Sequence, residues 1–373
     1  MTTLRVLGAG GDPTREASQD WRWQMQNALT RAEQLQQHLE LSAEELEGAR
    51  RAERDGFPLS ITPHYLSLID RDDPNCPIRR QVVPRIQESQ LSAGDLIDPL
   101  GEEQHEVAPD LIQRYPDRAL LLVSDRCAVY CRFCTRSRMV GDGGGPRSRD
   151  RLQPALDYLA AHPTIRDVII SGGDPLVMAT ERLRTIVAAV RDIPSVETIR
   201  IGTRVPVVIP QRITSELLEA LRPYHPLWIM THFNHPKELS DRARQACRDL
   251  VDAGFPVMNQ TVLLKGVNDD PQVLEALFRG LVRERVRPYY LLQADPVKGT
   301  GHLRTPLQRG VELLRALQGR VSGIALPKLV VDTPGGFGKV PMVPNYVVSA
   351  SGGTTRFLTP RGVEVDYLDP PED

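Results

Sequence analysis

Lysine is the residue this chain most lacks. Of 46 basic residues in 373, only Lys237, Lys265, Lys298, Lys328 and Lys339 are lysines; the other 41 are arginines. Chemistry that needs a primary amine therefore has five candidates. Positive charge is not in excess either. The formal net charge is -2, so there is no basic field to make nucleic acid a main partner. No apolar run approaches the roughly 20 residues that cross a bilayer. Met1 to Gly11 lacks the basic start and apolar core of a signal peptide. Neither a membrane nor an export route is expected. Aromatic residues are few at 5%, but a hydrophobic content of 40% suffices for a sizeable core, and a single α/β barrel can reach this length.

Cysteine is also scarce, with only five, yet three fall in one short window: Cys127, Cys131 and Cys134, a C-x3-C-x2-C run. Three thiolates are one short of a closed four-ligand metal site. A cubane iron–sulfur cluster held this way keeps one iron without a protein ligand, and that iron can bind a small molecule. A structural zinc knuckle would want a fourth Cys or a His close by, and the loop has neither. Three thiols so near each other cannot all pair as disulfides. Buried apolar cysteines are the plainer alternative. Reduced cysteines and a labile cluster point to a cytoplasmic setting.

The chain divides into three stretches. Residues 1–110 are expected to form a helical N-terminal region: one helix from about Ser18 to Leu39, then a second opened by the capping box Ser42 and Glu45. From 111 to 350, short apolar strands alternate with amphipathic runs. The strands read as Leu120–Ser124, Val168–Ser171, Ile199–Thr203, Trp228–Thr231, Met258–Leu264, Tyr289–Gln293 and Leu329–Val331. Helical runs such as Ala179–Arg191, Asp241–Ala253 and Pro271–Val282 lie between them. Such alternation predicts an α/β fold with a parallel sheet, open or curled into a barrel. Residues 351–373 read as a tail, and Gly141–Pro146 as a mobile loop.

Functional groups in such folds gather at the C-terminal ends of strands, where the polar residues of interest fall. Gly172-Gly173-Asp174 follows the second strand; glycines there admit close approach to the backbone, although an ordinary strand-to-helix turn would look the same. Lys339 ends the run Pro334-Gly335-Gly336-Phe337-Gly338-Lys339. No Ser or Thr follows the lysine and the glycine spacing is wrong for a P-loop. A lysine on a flexible loop suits a Schiff base with an aldehyde cofactor such as pyridoxal phosphate (PLP). Arg114 and Arg118, flanking Tyr115, can clamp a phosphate. Asp295 and Asp332, both at strand ends, can hold a cation. Arg136 can hold a carboxylate.

Taken together these residues resemble the lysine 2,3-aminomutase family of radical S-adenosylmethionine (SAM) enzymes. The blocks that carry the resemblance run in order along nearly the whole chain: DWRWQMQNAL, ITPHYLSLIDRDDPNCPIRRQ, RYPDRALLLVSDRCAVYCRFCTRSR, SGGDPL, IRIGTRVPVVIPQRIT, THFNHP, NQTVLLKGVND, RVRPYYLLQAD, HLRTP and VVDTPGGFGKVPMVPNYVVS. The resemblance implies a partial (βα)6-type radical SAM barrel. Cys127, Cys131 and Cys134 would bind a [4Fe–4S] cluster whose open iron chelates SAM. Gly172, Gly173, Asp174, His232 and Gln260 would hold SAM. Lys339 would carry PLP, with Arg114, Tyr115 and Arg118 around its phosphate and ring. A 5′-deoxyadenosyl radical would drive migration of an amino group from C2 to C3. Asp295 and Asp332 would hold the ε-ammonium of L-lysine, and Arg136 its α-carboxylate. An external electron donor such as flavodoxin or ferredoxin, and a homo-oligomer, are further expectations.

The sequence departs from the family pattern in places. Asp270 stands after KGVND where clostridial-type relatives carry a further Cys, and no Cys follows Cys247, so no zinc is expected. Phe133 sits between the last two cluster cysteines where relatives often have His. Phe337 replaces a glycine in the lysine loop. Arginine or glutamate as substrate, and (R)-β-lysine made for modification of an elongation factor, are the alternatives within the family. An iron–sulfur or zinc interaction module is the non-enzymatic one, and it leaves Lys339 and the paired aspartates unexplained.

Overall fold

The computed structural model describes residues 18–54, 59–141 and 145–370. The signal-peptide reading of Met1 to Gly11, and residues 142–144 of the expected glycine-rich loop, lie outside the described residues. A ten-stranded sheet runs in sequence order from β1 to β10. Seven of its strands are parallel: β3 Arg118–Ser124, β4 Asp167–Gly172, β5 Thr198–Gly202, β6 Leu227–Thr231, β7 Val257–Leu263, β8 Arg287–Gln293 and β9 Lys328–Asp332. Each gap between them holds at least one helix, the main ones being Arg149–Ala161, Thr180–Arg191, Ser215–Leu221, Asp241–Asp252, Pro271–Arg283 and Leu307–Leu317. Six βα crossovers and one closing strand give the parallel sheet that the alternation predicted, in the partial-barrel form that the resemblance implied. The sheet stays open, with the antiparallel pairs β1 Glu106–Ala108 with β2 Leu111–Tyr115, and β9 with β10 Lys339–Met342, at its two edges.

Side-chain alternation gives the sheet its two faces. One face packs under the helices: Leu121, Val123, Val168, Ile170, Ile199, Ile201, Ile229, Leu263, Leu291 and Leu329 all lie in the main core cluster. The other face, which takes in Arg118, Ser171, Gln260 and Asp332, lines the inside of the open barrel. The helices start where short polar side chains satisfy their first amides. Ser148 accepts from Arg151 N at 3.2 Å, Ser240 from Ala243 N at 3.2 Å and Asp270 from Gln272 N at 2.8 Å.

Two parts differ from the sequence expectation. The single helix expected over Ser18 to Leu39 is two, Trp21–Gln26 and Ala32–His38. Leu29 between them bridges to Ile61, its amide and carbonyl bonding Ile61 at 2.9 and 3.0 Å; a local strand contact wins over helix continuation. The stretch read as a tail carries most of a separate antiparallel sheet, β11 Val347–Ser351, β12 Thr354–Leu358 and β13 Glu364–Leu368. Gly352 and Gly353, at φ of 60° and 72°, form the tight turn between its first two strands. The expected capping box is present: Glu45 N donates to Ser42 Oγ at 3.2 Å and Ser42 N to Glu45 Oε2 at 2.9 Å.

Candidate functional site

The cysteine loop leaves the end of β3 and is held in place by its neighbours. Gly172, at φ 126°, ends β4. A Cβ there would overlap the Ser124 carbonyl oxygen, and one at Gly173 would overlap the Arg126 carbonyl. Instead Gly173 N donates to Ser124 O at 2.6 Å and Asp174 N to Arg126 O at 2.8 Å. The glycines thus let the start of the cysteine loop lie against the end of β4. Gly172→Ala is expected to cost about 3 kcal/mol through backbone overlap and strain, read as a lowered denaturation midpoint.

From the other side the N-terminal region grips the same loop. Ser60 Oγ donates to Ala128 O at 2.9 Å, Tyr130 N to Ser60 O at 3.1 Å, and Arg132 N to Gln81 O at 2.9 Å. Arg132, itself buried, pairs through Nε with Glu88 at 3.0 and 3.1 Å. None of this was legible as chemistry in the first third of the sequence.

The three loop cysteines are half-buried and free. Burial pushes the Cys127 thiol well above its ordinary range and the Cys134 thiol up to about 11, with neighbouring cysteines adding to the rise. Left alone, the Cys127 and Cys134 thiols would stay protonated, so a positively charged partner is what would make them thiolates. One cation is already there: Arg204 Nη1 donates to Cys131 Sγ at 2.7 Å. The same guanidinium reaches Tyr65 Oη at 2.9 Å, Gln81 Oε1 at 2.5 Å and Glu238 Oε1 at 2.8 Å. Among the described residues no three His, Cys, Asp or Glu side chains are grouped as for a metal ion. Ligands of a cubane each bind a different iron, so they need not converge on one point.

The expected SAM residues sit beside this loop. His232 follows the end of β6, next to β7; Thr231 and Asn259 are register partners, which brings His232 and Gln260 to the same level. The His232 ring stacks on Phe133 at 5.6 Å, and its Nε2 is buried without a hydrogen-bond partner among the described residues. Burial, then the nearby Arg204 cation, lowers its pKa to about 3, so this nitrogen is neutral and open to a ligand. Asp174 is arranged differently. Its carboxylate accepts from Thr203 Oγ1 at 2.7 Å, Leu176 N at 3.0 Å and Arg204 N at 2.7 Å. It holds the Thr203–Arg204 turn against the cysteine loop.

The lysine loop closes the far side of the mouth. Gly335, Gly336 and Gly338 have φ of 82°, 84° and 104°, a backbone that favours glycine. Phe337 between them is 89% exposed, so this departure points its ring outward. Lys339 N donates to Tyr115 Oη at 3.0 Å, and Lys339 Nζ is ion-paired with Asp332. Arg114 Nη2 pairs with the other oxygen of Asp332. The Arg114 and Arg118 guanidinium carbons lie 5.9 and 4.3 Å from the Tyr115 ring centre. Arg114, Tyr115, Lys339 and Asp332 therefore form one cluster, with Arg118 on its border.

Asp295, just past β8, faces that cluster. Burial, then the Asp332 carboxylate, pushes its pKa up to about 7, while Lys339 and Arg114 pull the other way. No side chain or backbone donor bonds its carboxylate among the described residues. Arg136 lies across the mouth, paired with Glu102, which sequence reading missed.

Comparison with known proteins adds the following. Residues 121–277 match the Radical SAM superfamily and residues 314–372 the Lysine-2,3-aminomutase family. The chain is 47% identical to the L-lysine 2,3-aminomutase of Fusobacterium nucleatum, over 96% of this chain and 84% of the relative. It is 47% identical to that of Clostridium subterminale over 94% and 84%. It is 38% identical to the glutamate 2,3-aminomutase of Clostridioides difficile over 96% and 84%.

Proposed function

The chain belongs to the lysine 2,3-aminomutase family of radical SAM enzymes, and from that premise we propose how its own residues serve the conversion of L-lysine to β-lysine. The family's cofactors are a [4Fe–4S] cluster, SAM and PLP. Cys127, Cys131 and Cys134 are the cluster ligands in this proposal, supported by the raised pKa of the Cys127 and Cys134 thiols, which a metal would have to offset, and by the Arg204 donor on Cys131. Gly172, Gly173, Asp174, His232 and Gln260 form the SAM side, supported by the unpartnered His232 Nε2. Lys339 carries PLP, with Arg114, Tyr115 and Arg118 beside it. When bound, these cofactors would supply a hydrogen-abstracting radical and a conjugated ring able to delocalise an unpaired electron.

The protein's part is to place the substrate. Asp332 already meets two cations, Lys339 and Arg114. Among the described residues Asp295 has no cation at ion-pair distance, and burial with the Asp332 carboxylate pushes it up to about 7. A half-buried carboxylate that nothing bonds among the described residues, next to a second carboxylate, is a site for a cation. This is the observation that carries L-lysine as substrate: the ε-ammonium fits Asp295 and Asp332, and Arg136 takes the α-carboxylate. A glutamate side chain would bring a third negative charge to the same spot, which disfavours it.

The test is anaerobic incubation of reconstituted enzyme with SAM, PLP, reductant and L-lysine, L-arginine or L-glutamate in turn. β-Lysine is the expected product; a β-amino acid from another substrate only would overturn the reading. A pH effect follows from Asp295. Below about 7 it is protonated in the free enzyme, and a cation binds the ionised form, while the ε-ammonium stays charged throughout. kcat/KM for L-lysine is thus expected to rise with pH toward about 7 and then level off. Asp295→Asn should remove that limb and lower kcat/KM by about 10²-fold.

An external one-electron donor such as flavodoxin or ferredoxin would reduce the cluster. A homo-oligomer is supported by the exposed Val347, Val348, Val365, Tyr367 and Leu368 of the terminal sheet. A cytoplasmic setting suits five free cysteines. No helix among the described residues is long and apolar enough to cross a membrane.

A further inference from the structure

Arg136 reaches the mouth of the barrel already holding one carboxylate. Its Nε lies 2.9 and 3.0 Å from the two oxygens of Glu102, and its Nη2 is 2.7 Å from Glu102 Oε1. This is a bidentate pair on the Nε–Nη2 edge of the guanidinium. Nη1 is left on the other edge, 3.4 Å from the Oγ of Ser171, on the barrel-facing side of β4. Glu102 is 2% exposed. Burial alone would raise its carboxyl pKa, but the Arg136 and Arg138 guanidiniums bring it below its ordinary range, so it is a fixed anion at neutral pH.

Glu102 is itself held from behind. Arg138 Nη2 lies 3.2 Å from Glu102 Oε2 and 3.2 Å from Asp98 Oδ1, and its Nε is 3.1 Å from Glu103 Oε1. The segment around it also touches the lysine loop. Gly335 N donates to Pro99 O at 3.2 Å, and a Cβ on Gly101 would come within 2.8 Å of the Gly335 carbonyl oxygen. One short stretch, Asp98 to His105, thus contacts both Arg136 and the loop that carries Lys339.

We propose that Glu102 is a positioning residue for substrate selection: it occupies the Nε–Nη2 edge of Arg136 and turns the remaining edge into the barrel, where it receives the α-carboxylate of the amino acid. The competing possibility is that Glu102 is a placeholder which the substrate carboxylate must displace. The two make opposite predictions. A positioning anion, once removed, leaves Arg136 free to turn away, and carboxylate binding weakens. A placeholder, once removed, leaves Arg136 unopposed, and binding tightens.

This inference rests on the substrate reading above, and the test separates the two. Equilibrium binding of L-lysine and of 1,5-diaminopentane, which keeps the terminal ammonium but lacks the carboxylate, is measured on PLP-loaded enzyme for wild type, Glu102→Gln, Glu102→Ala and Arg136→Lys. For both Glu102 variants the affinity for L-lysine is expected to fall about tenfold, with the diamine's affinity unchanged. KM for L-lysine should rise by a similar factor while kcat stays within about threefold. Glu102→Gln placed on Arg136→Lys should add little further loss, because both act on one interaction. Unchanged or tighter L-lysine binding would overturn the proposal, as would an equal loss for the diamine. Should Glu102→Ala not fold, the near-isosteric Glu102→Gln decides alone. Failure of wild-type enzyme to convert L-lysine would instead strike the substrate reading.

Discussion

Lys339→Ala is expected to yield folded protein with no turnover and none of the visible absorbance of bound PLP. The argument begins with scarcity. Lys237, Lys265, Lys298 and Lys328 are all exposed, and only Lys339 is partly buried with its ammonium turned into the barrel mouth. A buried lysine can serve as a Schiff-base amine because its neighbours set its position and charge. Tyr115 fixes the backbone of Lys339 and Asp332 fixes its Nζ. Removing the side chain leaves Asp332 paired with Arg114, so no uncompensated buried charge remains and the fold should survive. Lys339→Arg sharpens the test: it keeps a cation beside Asp332 but has no amine able to form an imine. Both variants should lose the absorbance, measured at saturating PLP. A retained band in Lys339→Ala would place the cofactor elsewhere.

The lysine loop also shows what could be read from residues alone. Its glycines and its lysine are adjacent in sequence, so their joint role is local and visible. The same holds for the seven parallel strands, each a short apolar run between turn signals, and for the cysteine run that follows the first. What stayed hidden depends on distant pairs. Arg204 lies 73 positions from Cys131, and Glu102 lies 34 from Arg136. No spacing rule links such residues; only the path of the chain over the sheet brings them together. Asp174 illustrates the opposite hazard. In sequence it is a carboxylate beside two glycines, free to meet a ligand, whereas in the fold its oxygens accept from Thr203, Leu176 and Arg204. The terminal sheet was missed because its strands are exposed over most of their length, and without a buried face there is no strict alternation to detect.

Cys131→Ala should abolish cluster assembly and, with it, reductive cleavage of SAM, while leaving the chain folded. In the proposed site Cys131 is one of three cluster ligands, and two ligands would hold a cubane poorly. It is also the thiol that Arg204 contacts, at 2.7 Å. Losing that sulfur costs Arg204 one charge-assisted hydrogen bond, worth about 2 kcal/mol. The guanidinium keeps Tyr65, Gln81 and Glu238, so a modest fall in thermal midpoint is expected, not unfolding. Cys247→Ala is the matched control. Cys247 is buried in the main core, with its thiol pushed up to about 12 by burial; its loss should lower stability through a small cavity and leave iron and sulfide content untouched. Iron, acid-labile sulfide and the electron paramagnetic resonance signal of the reduced protein then divide the two variants cleanly. If Cys131→Ala retained full iron and still cleaved SAM, the three-thiolate site would be wrongly placed, and the Arg204 contact would have to serve a purely structural purpose.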